Sequence, residues 1–130
     1  MDSVKKMEQF FDKDNYVKQS KIVIEKVDEN EAIVSSIVED IHLNAGGVLQ
    51  GGFLYTLADF AFAVLNNFKH PKTVTQVGNI TYLAPGNTKK VYAKAKEVAV
   101  NGRNTICDVT VYGEDEKIIC ECRFNGFIKG

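Results

Sequence analysis

One apolar helix followed by nothing but strands is the feature that most limits how this chain can fold. The stretch VLQGGFLYTLADFAFAV, residues 48–64, is apolar on nearly every side at helical spacing. A helix of that kind must itself be buried. Beyond residue 73 the pattern changes to alternation of period two, so each strand needs one face covered. Both demands are met when a single helix lies inside a curved antiparallel sheet. Parallel βαβ winding needs a helix between most strands, and the second half has none. The expectation is an α+β fold: one long central helix wrapped by a curved antiparallel sheet of about five to six strands, plus a short N-terminal helix.

Local signals place the elements. KIVIEKV (21–27) and EAIVSSIV (31–38) flank the polar turn Asp28-Glu29-Asn30 as a hairpin. EDIHLNAGG is a loop, the helix runs from about 52 to about 67, and Lys69-His70-Pro71 stops it. TVTQVGNITYLA (73–84) carries Gly78, where a bulge or a close backbone approach is expected. After the turn Pro85-Gly86, KVYAKAKEVAV (90–100) puts Val91, Ala93 and Ala95 on one face, and Asn101-Gly102 is a strong hairpin turn. TICDVTVYG (105–113) aligns Thr105, Cys107, Val109 and Val111; KIICECRF (117–124) aligns Ile118, Cys120, Cys122 and Phe124. Residues 1–13 are polar with Val4, Met7, Phe10 and Phe11 at helical spacing. With no repeat, linker or low-complexity segment, 130 residues form one domain, spanning 1–130.

The net charge of −1, from 16 basic and 17 acidic residues mixed along the chain, gives no basic excess for nucleic acid. The apolar stretch is interrupted by Asp59 and falls short of the roughly 20 residues a bilayer span takes, so no membrane is expected. No secretory segment opens the sequence, and its three cysteines are an odd number, which together point to reduced thiols in the cytoplasm. Cys120-Glu121-Cys122 has neither a second pair nor a nearby His to complete four ligands. No metal is expected, and the cysteines are assigned to core strand positions.

The chemistry-bearing feature is Asp59, a carboxylate in the middle of a helix that must be dry. Ionised carboxylates are rarely buried unpaired, because desolvation costs several kcal/mol. On a helix Asp59 shares its face with Tyr55, Thr56, Phe62 and Ala63, and no Lys or Arg lies within one turn. Either it occupies a wet stripe or pairs with a strand cation, or it points into a cleft as general base or nucleophile. Gly51-Gly52 is equally two-sided. It is a tight entry to the helix, or bare backbone that lets an oxygen approach the first unpaired N–H groups and be stabilised there as an oxyanion. Gly51 and Asp59 are eight positions apart, about 12 Å along a helix, farther than one reacting group reaches. If both act, donor and carboxylate come from two chains, and the protein is a homodimer with composite sites.

The run HLNAGGVLQGGFLYTLADFAFAV resembles the hotdog-fold acyl-CoA thioesterases, specifically the phenylacetic-acid-degradation (PaaI-like) branch. That pattern is roughly N-x-x-G-x-x-H-G-G followed by L-x-D on the next helix, and Asn44, Gly47, Gly51, Gly52 and Asp59 fall on it in register. NITYLAPG (79–86) is similar to the strand after the helix, and element order agrees from about residue 15 to 128. The resemblance implies a hotdog fold in which two protomers share one continuous sheet. It implies that Asp59 is the catalytic carboxylate, as general base on water or as nucleophile, and that Gly51 of the other protomer offers its amide to the thioester carbonyl. It further implies Asn44 as the polar group near carbonyl or water, and Thr75 as the hydroxyl that orients water. Gln50 stands where the family carries His. It can replace that His as a hydrogen-bond donor but not in proton transfer. His42, just upstream, is a substitute candidate or a loop histidine that caps backbone.

The implied substrate is a small, medium-chain or aryl acyl-CoA, coenzyme A being part of the substrate and no cofactor being needed. Its phosphates would be met by Lys89, Lys90 and Arg103 at hairpin ends, and Gly52 and His42 are also expected to bind substrate. Dimers would pair into a homotetramer. A non-catalytic acyl-CoA or fatty-acid binding module is the alternative. Dehydratase chemistry ranks behind it, because it pairs an acid with a His, and His70 ends the helix away from Asp59.

Overall fold

The computed structural model describes residues 2–130; Met1, the first residue of the expected N-terminal segment, lies outside them. The N-terminal part forms two short helices rather than one, α1 (Ser3–Phe10) and α2 (Asn15–Gln19). Each is started by an aspartate: Asp2 accepts from the Lys5 amide and Asp14 from the Val17 amide, which satisfies otherwise orphaned first-turn donors. Then come β1 (Val23–Val27), β2 (Ala32–Ile37), a 3-10 turn (Asp40–His42), the long helix α3 (Gly51–Lys69), and β3 (Thr73–Tyr82), β4 (Lys90–Asn101), β5 (Asn104–Gly113) and β6 (Ile118–Ile128).

All six strands form one antiparallel, curved, open sheet in the order β1-β2-β4-β5-β6-β3. α3 lies in its concave face and touches every strand. This is the wrapped-helix hotdog arrangement, and the alternation explains it. Val91, Ala93 and Ala95 of β4, and Thr105, Cys107, Val109 and Val111 of β5, are buried against Leu57, Ala61, Val64 and Leu65 of α3 in one core. On the other side α3 is covered by the N-terminal helices, where Phe11 packs edge-on against Phe60 at 5.1 Å.

One alignment differs from the simple alternation. Ile118 does not share the inner face with Cys120, Cys122 and Phe124; it is exposed, and Ile119 is buried instead. A register shift causes this, since Val111 faces Cys120 while Tyr112 faces Ile118. One extra residue on β6 flips the face of everything before it. The three cysteines are free and buried, as strand core positions require. Burial pushes the Cys107 and Cys120 thiols up to about 11 and Cys122 to about 12, so none is reactive at neutral pH.

β3 matters most for the site. It is an edge strand paired only with β6, and apart from Thr73 and the half-covered Ile80 its residues are exposed. No helix among the described residues is long and apolar enough to cross a membrane.

Candidate active site

The loop into α3 is organised by its own polar side chains. Asn44 Oδ1 accepts from the amides of Gly46 (2.9 Å) and Val48 (3.3 Å). Gly47 sits at φ +82°, where a side chain would be strained. Gln50 then caps α3: its Oε1 accepts from the Phe53 amide at 2.9 Å. A Cβ on Gly52 would stand 2.9 Å from that oxygen, so glycine there leaves room for the cap. The Gly51 and Gly52 amides donate to nothing among the described residues. They sit at the positive end of a 19-residue helix. Asn44 and Gly51, with Leu49, Leu54, Tyr82 and Pro85, line a shallow groove of about 450 Å³. Asn44 and Gly51 are thus brought together; Asp59 is not part of that groove.

Asp59 lies two turns further along α3, half-buried. Thr75 Oγ1 donates to its Oδ1 at 2.8 Å, so the sheet does bring Thr75 to the carboxylate. Among the described residues no Lys, Arg or His stands within ion-pair distance of it. The strand-cation alternative is therefore not what the chain adopts. Burial pushes the Asp59 carboxyl up from its usual range, the Thr75 hydrogen bond opposes the rise, and the negative charge of Asp14 adds to it. A carboxylate kept partly dry beside one neutral donor is a proton acceptor of raised basicity.

β3 and α3 run past each other in a ladder. The Tyr82 hydroxyl donates to the Gly51 carbonyl at 2.8 Å, Tyr55 lies over Gly78, and Thr75 meets Asp59. A Cβ on Gly78 would overlap the Tyr55 hydroxyl, so the close approach expected at Gly78 is made by a side chain; the bulge falls at Gln76. Tyr82 is the neighbour that the sequence did not announce. It is 31 residues from Gly51, and only the placement of β3 against α3 brings the two together.

Three other expected site residues, His42, Lys90 and Arg103, have bonds of their own. His42, expected to bind substrate, is turned into the protein. Its Nδ1 accepts from the Glu39 amide (3.0 Å), its Nε2 donates to the Ser20 carbonyl (2.7 Å), and its ring lies 4.3 Å from that of Phe53. Both nitrogens are used, and the backbone-capping alternative describes it. Lys90, on the outer face of β4, pairs with Glu25 at 2.9 Å and lies over the Tyr92 ring. Arg103 donates to the carbonyls of Ile128 and Lys129. Lys89 is exposed, three residues beyond Gly86 of the groove. His70 caps the far end of α3 and bonds Glu97 at 2.9 Å, away from Asp59. Among the described residues no three His, Cys, Asp or Glu side chains converge as for a metal. A depression of about 570 Å³ lies on the outer face of the sheet around Asp108 and Arg123, not at Asp59.

The thioesterase superfamily family model matches residues 46–120. The chain is 36% identical over 93 residues to a putative esterase of Archaeoglobus fulgidus, covering 70% of this chain and 60% of that relative; it thus spans less than two thirds of that protein's length. It is 28% identical over 110 residues to the acyl-coenzyme A thioesterase PaaI of Escherichia coli, covering 84% of this chain and 79% of the relative. The solved structure of E. coli PaaI superposes with a TM-score of 0.89 at 25% identity, covering 99% of this chain and 97% of that one.

Proposed function

Because the chain belongs to the thioesterase superfamily and to its PaaI-like branch, we propose that it hydrolyses acyl-CoA thioesters, with Asp59 as the catalytic carboxylate. The observation that carries this is the half-buried Asp59, bonded by Thr75 and, among the described residues, facing no cation, on a helix whose first amides have no partner there. Thr75 holds Oδ1, and Oδ2 has no hydrogen bond among the described residues. Oδ2 is then the atom that takes a proton from water as its oxygen attacks the thioester carbon, or that attacks directly to give an acyl anhydride which water then cleaves. The carbonyl oxygen gains the negative charge and is held by the Gly51 amide, with the bare Gly52 amide and the uncommitted Asn44 amide group beside it. The tetrahedral species collapses by breaking the C–S bond; coenzyme A leaves as thiolate and the acid is released. Neither step asks for a metal or a cofactor.

The donor and the carboxylate come from two copies of the chain. Asp59 is outside the groove that Gly51 lines, and β3 has a free edge. An antiparallel pairing of β3 with a second β3 about a twofold between Gly78 and Asn79 sets Thr75 of one copy opposite Tyr82 of the other. Since Thr75 marks Asp59 and Tyr82 marks Gly51, each interface end acquires one carboxylate and one pair of bare amides. Isologous pairing yields two such sites. A tetramer as a dimer of these dimers is compatible with the open outer sheet face. The free buried thiols suit a reducing, cytoplasmic setting.

Gln50 favours one competing reading. Where the family pattern has His, its oxygen is engaged in a helix cap, which a ligand-holding module without turnover would tolerate. Thiol release across short, long and aryl acyl-CoAs, run beside Asp59→Asn, separates the two. We expect turnover by the wild type and a loss of about 10²-fold or more in the variant, with the fold retained. Binding of acyl-CoA without release of thiol by the wild type would establish the binding module.

A further inference from the structure

We propose that Tyr82 is a positioning residue for this reaction: its phenol fixes the first peptide of α3 and so aims the bare Gly52 amide, which beside that of Gly51 receives the oxyanion. The inference rests on the proposed thioesterase reading. Two glycines in succession give a substrate oxygen the clearance it needs, but they also leave the chain its loosest backbone. An oxyanion site works only when its donors are held in place beforehand. Something outside the glycines must therefore stiffen them.

Tyr82 does so in two ways. Its hydroxyl donates to the Gly51 carbonyl at 2.8 Å, and that carbonyl shares its planar peptide unit with the Gly52 N–H. Fixing one end of the plane fixes the direction of the other. Its ring also lies where a Cβ on Gly51 would be 3.3 Å from Cζ and the hydroxyl, so the phenol packs on the face of the glycine itself. Accepting a hydrogen bond at the carbonyl polarises the amide and makes the Gly52 N–H a better donor. Burial, with Cys120, Cys122 and Tyr55 nearby, raises the phenol above its usual range, so the proton it donates stays in place at neutral pH. Tyr82 is 51% exposed, so the ring anchors no core.

The experiment is Tyr82→Phe, which keeps the ring and removes the donor. We expect kcat to fall about tenfold with KM for acyl-CoA within twofold of wild type and an unchanged melting temperature. Binding supplies the readout that a structural role would not move. A trifluoromethyl ketone analogue of acyl-CoA, with CH2 in place of the thioester sulfur, forms an oxyanion on the enzyme; the corresponding thioether, which has no carbonyl, does not. Tyr82→Phe should weaken the ketone about tenfold and the thioether less than twofold, whereas partial unfolding would lower the number of sites for both. An active wild type whose Tyr82→Phe variant matches it in kcat and in the ketone-to-thioether ratio overturns the proposal alone. A wild type silent on every thioester overturns the underlying reading and this inference with it.

Discussion

Asp59 carries opposite consequences for stability and for activity. Its pKa in the folded protein is raised, chiefly by burial, so the fold favours the protonated form. The associated stability is present in full below the unfolded value, near 3.9, and is lost as pH rises through the folded value. At pH 7 the ionised side chain therefore costs stability. Asp59→Asn, whose amide oxygen can still accept from Thr75, should melt no lower than wild type at pH 7, and any advantage should shrink as the pH is taken down toward 4. Activity runs the other way: the acid limb of kcat/KM should lie above the ordinary aspartate range, because the carboxylate must be ionised to act. A limb at the usual value, with no change in the melting difference across pH, would contradict the burial of this group.

At the scale of elements, α3 depends on contacts at its two ends and its middle. Gln50 supplies the N-cap, and losing such a cap costs about 1 kcal/mol. Gln50→Ala should lower the melting temperature by about 4 °C, and Gln50→Asn should recover most of it, read by thermal denaturation. In the middle, Tyr55 crosses Gly78 of β3 so closely that an added methyl meets its hydroxyl. Gly78→Ala should cost about 1–3 kcal/mol as an overpacked contact. Part of that loss should disappear in a Tyr55→Phe background, because the hydroxyl is then gone while Phe124 Cε1, 2.9 Å from the new methyl, still crowds it. Additive losses in the double variant would place the strain elsewhere.

For the whole molecule, the test is whether one chain is enough. Mixing Gly51→Pro protomers, which lack the amide donor, with Asp59→Asn protomers should restore activity through heterodimers. Half the dimers are mixed and each has one intact site of two, so about a quarter of wild-type activity is expected at full exchange. Sedimentation of the wild type should give a multiple of the 14.5 kDa chain. A monomer, or no recovery after exchange is demonstrated by mass-tagged protomers, would show that Asp59 and Gly51 do not meet across an interface.

The sequence by itself determined the architecture, because period and burial are local rules: an all-apolar helix beside alternating strands has few ways to cover both. It also singled out Asp59, since a lone carboxylate in an apolar helix is anomalous before any coordinate is known, and it placed the bare glycines at the helix mouth. Only the tertiary structure decided the partners. Thr75 and Tyr82 become neighbours of Asp59 and Gly51 through the placement of β3 against α3, a relation between residues 16 and 31 positions apart that no periodicity encodes. His42 could not be assigned in advance either, because capping and ligand binding use the same ring nitrogens, and which one prevails depends on the Glu39 and Ser20 backbone folding over it. Ile118 and Ile119 were likewise settled by one bulge, a two-strand event invisible to either strand alone.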